Sequence, residues 1–207
     1  MRILILGATG GLGQALARQL QGQGELLLVG RRPQVLRDLA QELGGSSLRG
    51  DLSDELEASA LLEQAGPVDL LFHAVGVAGR APARETGRQL LEAMLSAHFL
   101  SAANVLKYAR FGQGARAVFF GAYPAYVRVP GFGAYAAAKA ALEAYLEVAR
   151  KELRKDGVRL ILVRLPAVAT PLWTPLGGPP RGALAPEEAA RKVLEAVLGD
   201  AGDEVAL

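Results

Sequence analysis

A doubly wound α/β fold, a parallel sheet of about seven strands with helices on both faces, is what this 207-residue sequence predicts. Three observations carry that expectation. Apolar runs of strand length alternate with amphipathic stretches of helical period, the pattern of a parallel sheet wrapped by helices. The first run passes at once into a glycine-rich turn and then a helical stretch. The glycines and polar residues of chemical interest fall at the carboxyl ends of predicted strands, where open α/β sheets place their ligands.

Arg2-Ile3-Leu4-Ile5-Leu6 is a continuous apolar run, as a strand buried on both faces requires. Gly7-Ala8-Thr9-Gly10-Gly11-Leu12-Gly13 follows, and Gln14 to Gln21 has helical period. Glycines there permit the tight turn and let backbone amides approach a pyrophosphate at the positive end of a helix. The second strand, Glu25 to Val29, ends in Gly30-Arg31-Arg32-Pro33. Dinucleotide folds usually place an acid at this point for the ribose 2′-hydroxyl of NAD. Here two arginines stand instead, with no carboxylate until Asp38, which suits a 2′-phosphate and favours NADP(H). A pair of solvated surface charges is the plainer alternative.

Gln34 to Leu43 is amphipathic, and a weak strand from Ser47 to Gly50 leads to Asp51-Leu52. Asp51 is placed to accept from an adenine amino group or to serve as a turn residue, and Ser53 is suited to cap the next helix. Val68 to His73 is the fourth strand, running into Ala74-Val75-Gly76. Residues 84–110 read as long and mostly helical, with Leu90, Leu91, Met94, Leu95, His98, Phe99 and Ala102 on one face. That directs His98 inward, as a satisfied core residue or a catalyst. Ala115 to Gly121 is the fifth strand. Gly133 to Lys155 is a helix that carries Tyr135 and Lys139 at i and i+4, one turn apart on one face. A phenol beside an ammonium is a candidate proton donor whose pKa the charge is expected to lower, although such pairs also decorate surfaces. Val158 to Leu165 is the sixth strand, ending in Pro166-Ala167-Val168-Ala169-Thr170. Residues 172–185 are expected to form a substrate loop or lid, followed by a helix from Pro186 and a last short strand at Asp203 to Leu207.

One domain over residues 1–207 is the expectation, without repeats or linkers. The chain is 51% hydrophobic with 25 glycines, which suits a packed core. Lys and Arg number 23 against 21 Asp and Glu, so the +2 balance gives no footprint for nucleic acid. No cysteine and two histidines speak against a metal site. No apolar run reaches membrane-spanning length, and Ile3 to Leu6 is too short for a secretory signal. The expected setting is the cytoplasm, with a small-molecule substrate and neither membrane nor nucleic acid as partner.

With these residues in place, the chain resembles the short-chain dehydrogenase/reductase family along nearly its whole length. Gly7-x3-Gly11-x-Gly13 matches the cofactor loop, Asp51-Leu52 the adenine-contacting acid, and Tyr135-x3-Lys139 the catalytic pair. His73-Ala74-Val75-Gly76 stands in place of an Asn-Asn-Ala-Gly stretch, and Leu6 where threonine is usual. The resemblance implies a Rossmann fold and NADP(H) as cofactor, held in part by Ala74, Gly76, Pro166 and Thr170. It implies Tyr135 as general acid or base, with Lys139 holding the nicotinamide ribose and lowering the tyrosine pKa. Pairing of the helices at 84–110 and 133–155 into a homodimer or homotetramer is implied as well.

Two departures matter. The family's substrate-orienting serine falls on Ala122, with Tyr123 and Tyr126 the nearest hydroxyls, and its catalytic asparagine falls on His98. A missing donor at the reacting carbonyl costs roughly 10²–10³ in rate. Two expectations follow: a slow or atypical NADP(H)-dependent carbonyl/alcohol oxidoreductase using Tyr135, Lys139 and His98, or a non-catalytic NADP(H)-binding protein with a regulatory or scaffold role.

Overall fold

A computed structural model of the protein describes residues 1–199 and 202–207. Among these, seven strands form one all-parallel sheet in the order β3-β2-β1-β4-β5-β6-β7. They are β1 (Arg2–Leu6), β2 (Glu25–Gly30), β3 (Ser46–Arg49), β4 (Val68–His73), β5 (Phe111–Ala122), β6 (Arg159–Leu165) and β7 (Glu204–Ala206). The order reverses beside β1, so the crevice above β1 and β4 is the switch point at which such sheets bind ligands. Helices α1 (Gly11–Gln19), α2 (Pro33–Leu43) and α3 (Glu55–Ala65) alternate with the first strands. The second half adds α4 (Arg88–Leu95), α5 (Ser101–Tyr108), α6 (Pro124–Val127), α7 (Gly133–Leu153) and α8 (Pro186–Leu198). Two apolar layers result, one on each sheet face. Ile3, Ile5, Leu28, Phe72, Val118 and Val163 point to the α1/α2/α8 side, and Leu4, Leu6, Val29, Leu71, Phe119 and Leu162 to the α3/α5/α7 side. Strict alternation along strands that are apolar throughout is what burial on both faces produces.

Several local readings are corrected by packing. Helix α1 starts at Gly11, ahead of the first good helix former, because the glycine turn is itself the first helical turn. Asp54 rather than Ser53 caps α3, its Oδ1 accepting from Glu57 N at 2.9 Å. Ser53 instead donates backbone and side-chain hydrogens to Asp51. The region read as one long helix is broken: a 3₁₀ turn at Ala83–Glu85, then α4, a π-helical turn at Ser96–Leu100, and α5. Leu91, assigned to the inward face, is 39% exposed. The extra residue of a π turn rotates the helix face, and π turns of this kind often sit at functional positions. Within the loop after β6, Pro171–Leu176 is a 3₁₀ helix. The base of that loop is zipped by a Val168–Leu184 bridge and by bonds joining Ala167, Ala169 and Leu184. Among the described residues no helix is long and apolar enough to cross a membrane.

Candidate active site

The carboxyl ends of β1 to β6 form the floor of a groove with two connected chambers. One, about 480 Å³, lies over β1, β2 and β3 and is lined by Gly7, Thr9, Gly10, Arg31, Arg32, Asp51 and Leu52. The other, about 210 Å³, lies over β5 and β6 and is lined by Gly11, Leu12, His98, Tyr135, Lys139, Pro166 and Thr170. Gly10, Ala74, Val75, Gly76, Pro171 and Leu172 border both.

The first chamber is built mainly from backbone. Gly7 has φ +79°, and a Cβ there would stand 2.6 Å from the Ala74 carbonyl oxygen. Gly11 leaves room for Thr170, whose Cγ2 would lie 2.7 Å from an added Cβ. Gly13 lines neither chamber: it is buried against the Gly7 carbonyl and lets α1 pack onto the loop. Among the described residues no side chain caps α1, so its first-turn amides and positive end are left for an anion in the groove. At the outer end Arg31 Nη1 stands 3.4 Å from Asp51 Oδ2, and Arg32 Nη2 donates to the Thr9 carbonyl. Burial acts to raise the Asp51 pKa, but hydrogen bonds from Ser53 and the Arg31 charge together bring it below the usual carboxylate value. These residues fit a dinucleotide: open amides for a pyrophosphate, then a guanidinium and a carboxylate at the far end.

The second chamber is built from side chains. Tyr135 and Lys139 rise from the start of α7, and His98 comes from the π turn, its ring edge-on to Tyr135 with centroids 5.0 Å apart. The His98 imidazole fills the space a Gly76 side chain would need, 2.8 Å from an ideal Cβ. His98 Nε2 lies 2.7 Å from the Val77 carbonyl oxygen, which fixes the proton on Nε2. Nδ1 is then a bare acceptor, buried and unpartnered among the described residues. Behind it, His73 donates from Nε2 to Ser101 Oγ at 2.9 Å, because the Ser101 hydrogen is committed to the Ala97 carbonyl at 2.7 Å. Burial keeps both imidazoles neutral, with the Lys139 charge adding to the effect: His73 falls to about 3, and His98 well below its ordinary value.

Lys139 donates to the Phe120 carbonyl at 2.7 Å, and burial lowers its pKa to about 8 against the opposing pull of Glu143. Its Nζ stands 5.7 Å from the Tyr135 ring centroid. The expected lowering of the tyrosine pKa is not what the geometry gives. Burial of the phenol pushes Tyr135 up to about 12, with the Lys139 Nζ directed to the Phe120 carbonyl. Tyr135 is therefore a firmly protonated phenol at neutral pH. Sequence reading missed Glu143, although Tyr135, Lys139 and Glu143 form one i, i+4 ladder. Glu143 is held by Arg164 of β6 at 2.8 Å, and Arg164 in turn by Glu204 of β7 at 2.8 Å. Also missed were the walls Phe132 and Trp173, and Tyr126, read only as a candidate hydroxyl, is a third. Of the two candidate replacement hydroxyls, Tyr123 donates to the Leu207 carbonyl at 3.0 Å, and Tyr126 lies at the rim, 63% exposed. Ala122 lines the chamber without a donor.

A model of the short chain dehydrogenase family matches residues 1–178. The chain belongs to the short-chain dehydrogenase family. A crystal structure of a protein from Thermus thermophilus, assigned as a short-chain oxidoreductase, is 71% identical with a TM-score of 0.91, over 94% of this chain and 95% of that one. An uncharacterized oxidoreductase of Mycobacterium bovis is 27% identical over 220 residues, an alignment covering 95% of this chain and 63% of that protein. The chain thus spans less than two thirds of the length of that mycobacterial relative. The NADPH complex of a protein named BdcA, 21% identical with a TM-score of 0.81 over 99% of this chain and 92% of that one, shares the fold.

Proposed function

We propose that this chain is an NADP(H)-dependent oxidoreductase acting on a carbonyl or alcohol, and that it works in the reducing direction. The observation that carries the reading is the meeting of Tyr135, Lys139 and His98 in one chamber continuous with the glycine-loop groove. When bound, the dinucleotide supplies the hydride. Thr9, Gly10, Gly11 and Leu12 would hold its pyrophosphate over the open end of α1, with Gly7 and Gly13 shaping that loop. Arg31 and Arg32 would take the 2′-phosphate, and Asp51 and Leu52 the adenine. Ala74 and Gly76 would border the middle of the dinucleotide, with Pro166 and Thr170 at the nicotinamide end. Tyr135, kept protonated by burial, donates to the developing oxyanion. Lys139 holds the ribose and supplies positive charge beneath the ring, and the bare Nδ1 of His98 is the acceptor through which a proton path would run in place of asparagine.

Residues 172–185 serve in this reading as the substrate loop, and residues 1–207 as one dinucleotide-binding unit. A cytoplasmic homodimer or homotetramer is proposed as well, supported by exposed Leu91, Leu100 and Val148 on the helical face of α4, the π turn and α7. Light scattering on eluted protein tests that assembly. For the activity, NADPH oxidation with a carbonyl substrate should fall ~10²–10⁴-fold in Tyr135→Phe. An unchanged rate would remove Tyr135 from the chemistry. Ala122 favours a second reading, a cofactor-binding regulatory or scaffold protein, and NADPH binding without oxidation by any ketone, aldehyde or quinone would establish it.

A further inference from the structure

The catalytic chamber is uncharged on the substrate side. Among the described residues lining it, Lys139 alone carries charge, and its ammonium is engaged by the Phe120 carbonyl. His98 and Tyr135 are held neutral by burial. The neighbouring cation, Arg80, stacks on Phe132 at 5.9 Å from the ring centroid and does not line the chamber. A carboxylate or phosphate on the substrate would enter without a partner, at the cost that accompanies any unpaired buried charge. The walls are instead aromatic: Tyr126, Phe132 and Trp173, with the Trp173 ring fixed by donation from Nε1 to the Val168 carbonyl at 2.9 Å.

Of Tyr135 and Ala122, which stand where the family has its proton donor and its substrate-orienting serine, Tyr135 alone carries a donor. The Tyr123 hydroxyl is committed to the Leu207 carbonyl. A site with half the usual oxyanion support is matched to a substrate whose developing charge is spread away from that support. We propose, resting on the oxidoreductase reading above, that the substrate is a small uncharged quinone, held between the aromatic walls and protonated by Tyr135 alone. The balance is complete. NADPH loses a hydride and becomes NADP⁺, while Tyr135 gives one proton and is re-protonated from solvent. The hydride lands on a ring carbon conjugate to one carbonyl, and Tyr135 protonates the resulting enolate oxygen. That carbon then loses a proton to solvent as the second oxygen takes one, so that two C=O π bonds become two O–H bonds and an aromatic ring. The absence of cysteine leaves no thiol for a quinone to arylate, so the compound can be assayed without that side reaction.

The test compares 1,4-benzoquinone, its carboxylate-bearing analogue and cyclohexanone, with NADPH oxidation corrected for the rate in Tyr135→Phe. Calorimetric titration of the NADP⁺-loaded protein supplies a readout independent of turnover. Benzoquinone is expected to bind saturably and to be reduced at least ~100-fold more efficiently than cyclohexanone. The charged analogue is expected to do neither. Phe132→Ala and Trp173→Ala should each weaken benzoquinone binding about tenfold while leaving NADPH affinity unchanged. Ala122→Ser should narrow the gap between quinone and ketone at least tenfold, because only the ketone needs the added donor. Equal use of cyclohexanone or of the charged quinone would overturn the substrate class and leave the oxidoreductase reading standing. Failure of every carbonyl compound to oxidise bound NADPH would remove both.

Discussion

The two chambers of the groove are made of different material. Over β1 to β3 the surface is backbone, opened by glycines and edged by an exposed Arg31–Asp51 pair. Over β5 and β6 it is a set of buried side chains from α7, the π turn and the loop after β6, which define one another's protonation. Backbone geometry is set by which residues have no Cβ, so its tolerance is steric. Side-chain chemistry is set by burial and neighbouring charge, so its tolerance is electrostatic. The contrast implies that the first chamber fails by collapse and the second by loss of tuning.

The largest effect expected is steric. Gly7→Ala forces a left-handed residue and drives its Cβ against the Ala74 carbonyl, which should cost at least ~3 kcal/mol and lower Tm by roughly 6–12 °C. Gly22 has nearly the same φ, +77°, but nothing within 4 Å of an added Cβ, so Gly22→Ala should cost only about 1 kcal/mol. Thermal melts giving equal losses would break the steric account.

Next comes acid. His73 titrates near 3 in the folded protein against an ordinary 6.5, and His98 well below that ordinary value. Below 6.5 the unfolded chain binds protons that the folded one refuses. The stability these neutral rings contribute is thus complete above 6.5 and is lost as pH falls below it, for His73 down to about 3, at about 1.4 kcal/mol per pH unit for a ring that stays neutral in the fold. Urea unfolding at about pH 7 and about pH 4.5 should show a shallower loss for His73→Gln than for the wild-type protein, and equal slopes would refute buried, neutral imidazoles.

Smaller still is the tuning of Lys139. Its folded value near 8 lies below the ordinary 10.5, so the cost of burying the ammonium is present in full below 8 and is relieved as pH rises to 10.5. Removing the carboxylate one turn away, in Glu143→Gln, should lower the Lys139 midpoint by about one further unit, read from its side-chain carbon resonance. A fixed midpoint would mean that the Glu143–Arg164–Glu204 chain is purely structural. The smallest expected change in stability is that of Arg31→Ala, within ~0.5 kcal/mol for so exposed a pair. NADPH affinity should nonetheless drop about tenfold with NADH affinity unmoved, the loss of one charge-assisted phosphate contact. Equal losses for both nucleotides would return Arg31 to the role of a surface charge.

By itself the sequence determined the sheet, the glycine loop and the Tyr135–Lys139 ladder. Each is a local property: continuous apolar runs at strand length, missing Cβ atoms at fixed spacing, two side chains one helical turn apart. Their placement along one edge then follows from the parallel order of the strands. Helix boundaries within residues 84–110 were not legible, since a π turn inserts a residue without changing composition. The cap of α3 was misplaced by one residue, because Ser53 and Asp54 both suit a cap and only the Asp51 turn decides between them. Tertiary structure alone decided the chemistry of the pair. Spacing says that an ammonium stands near a phenol, and hence that the phenol should be acidified. Packing buries both, and the desolvation of the phenol raises Tyr135 to about 12 instead. The desolvation of a group depends on everything folded around it, and that sum is written nowhere in the local order of residues.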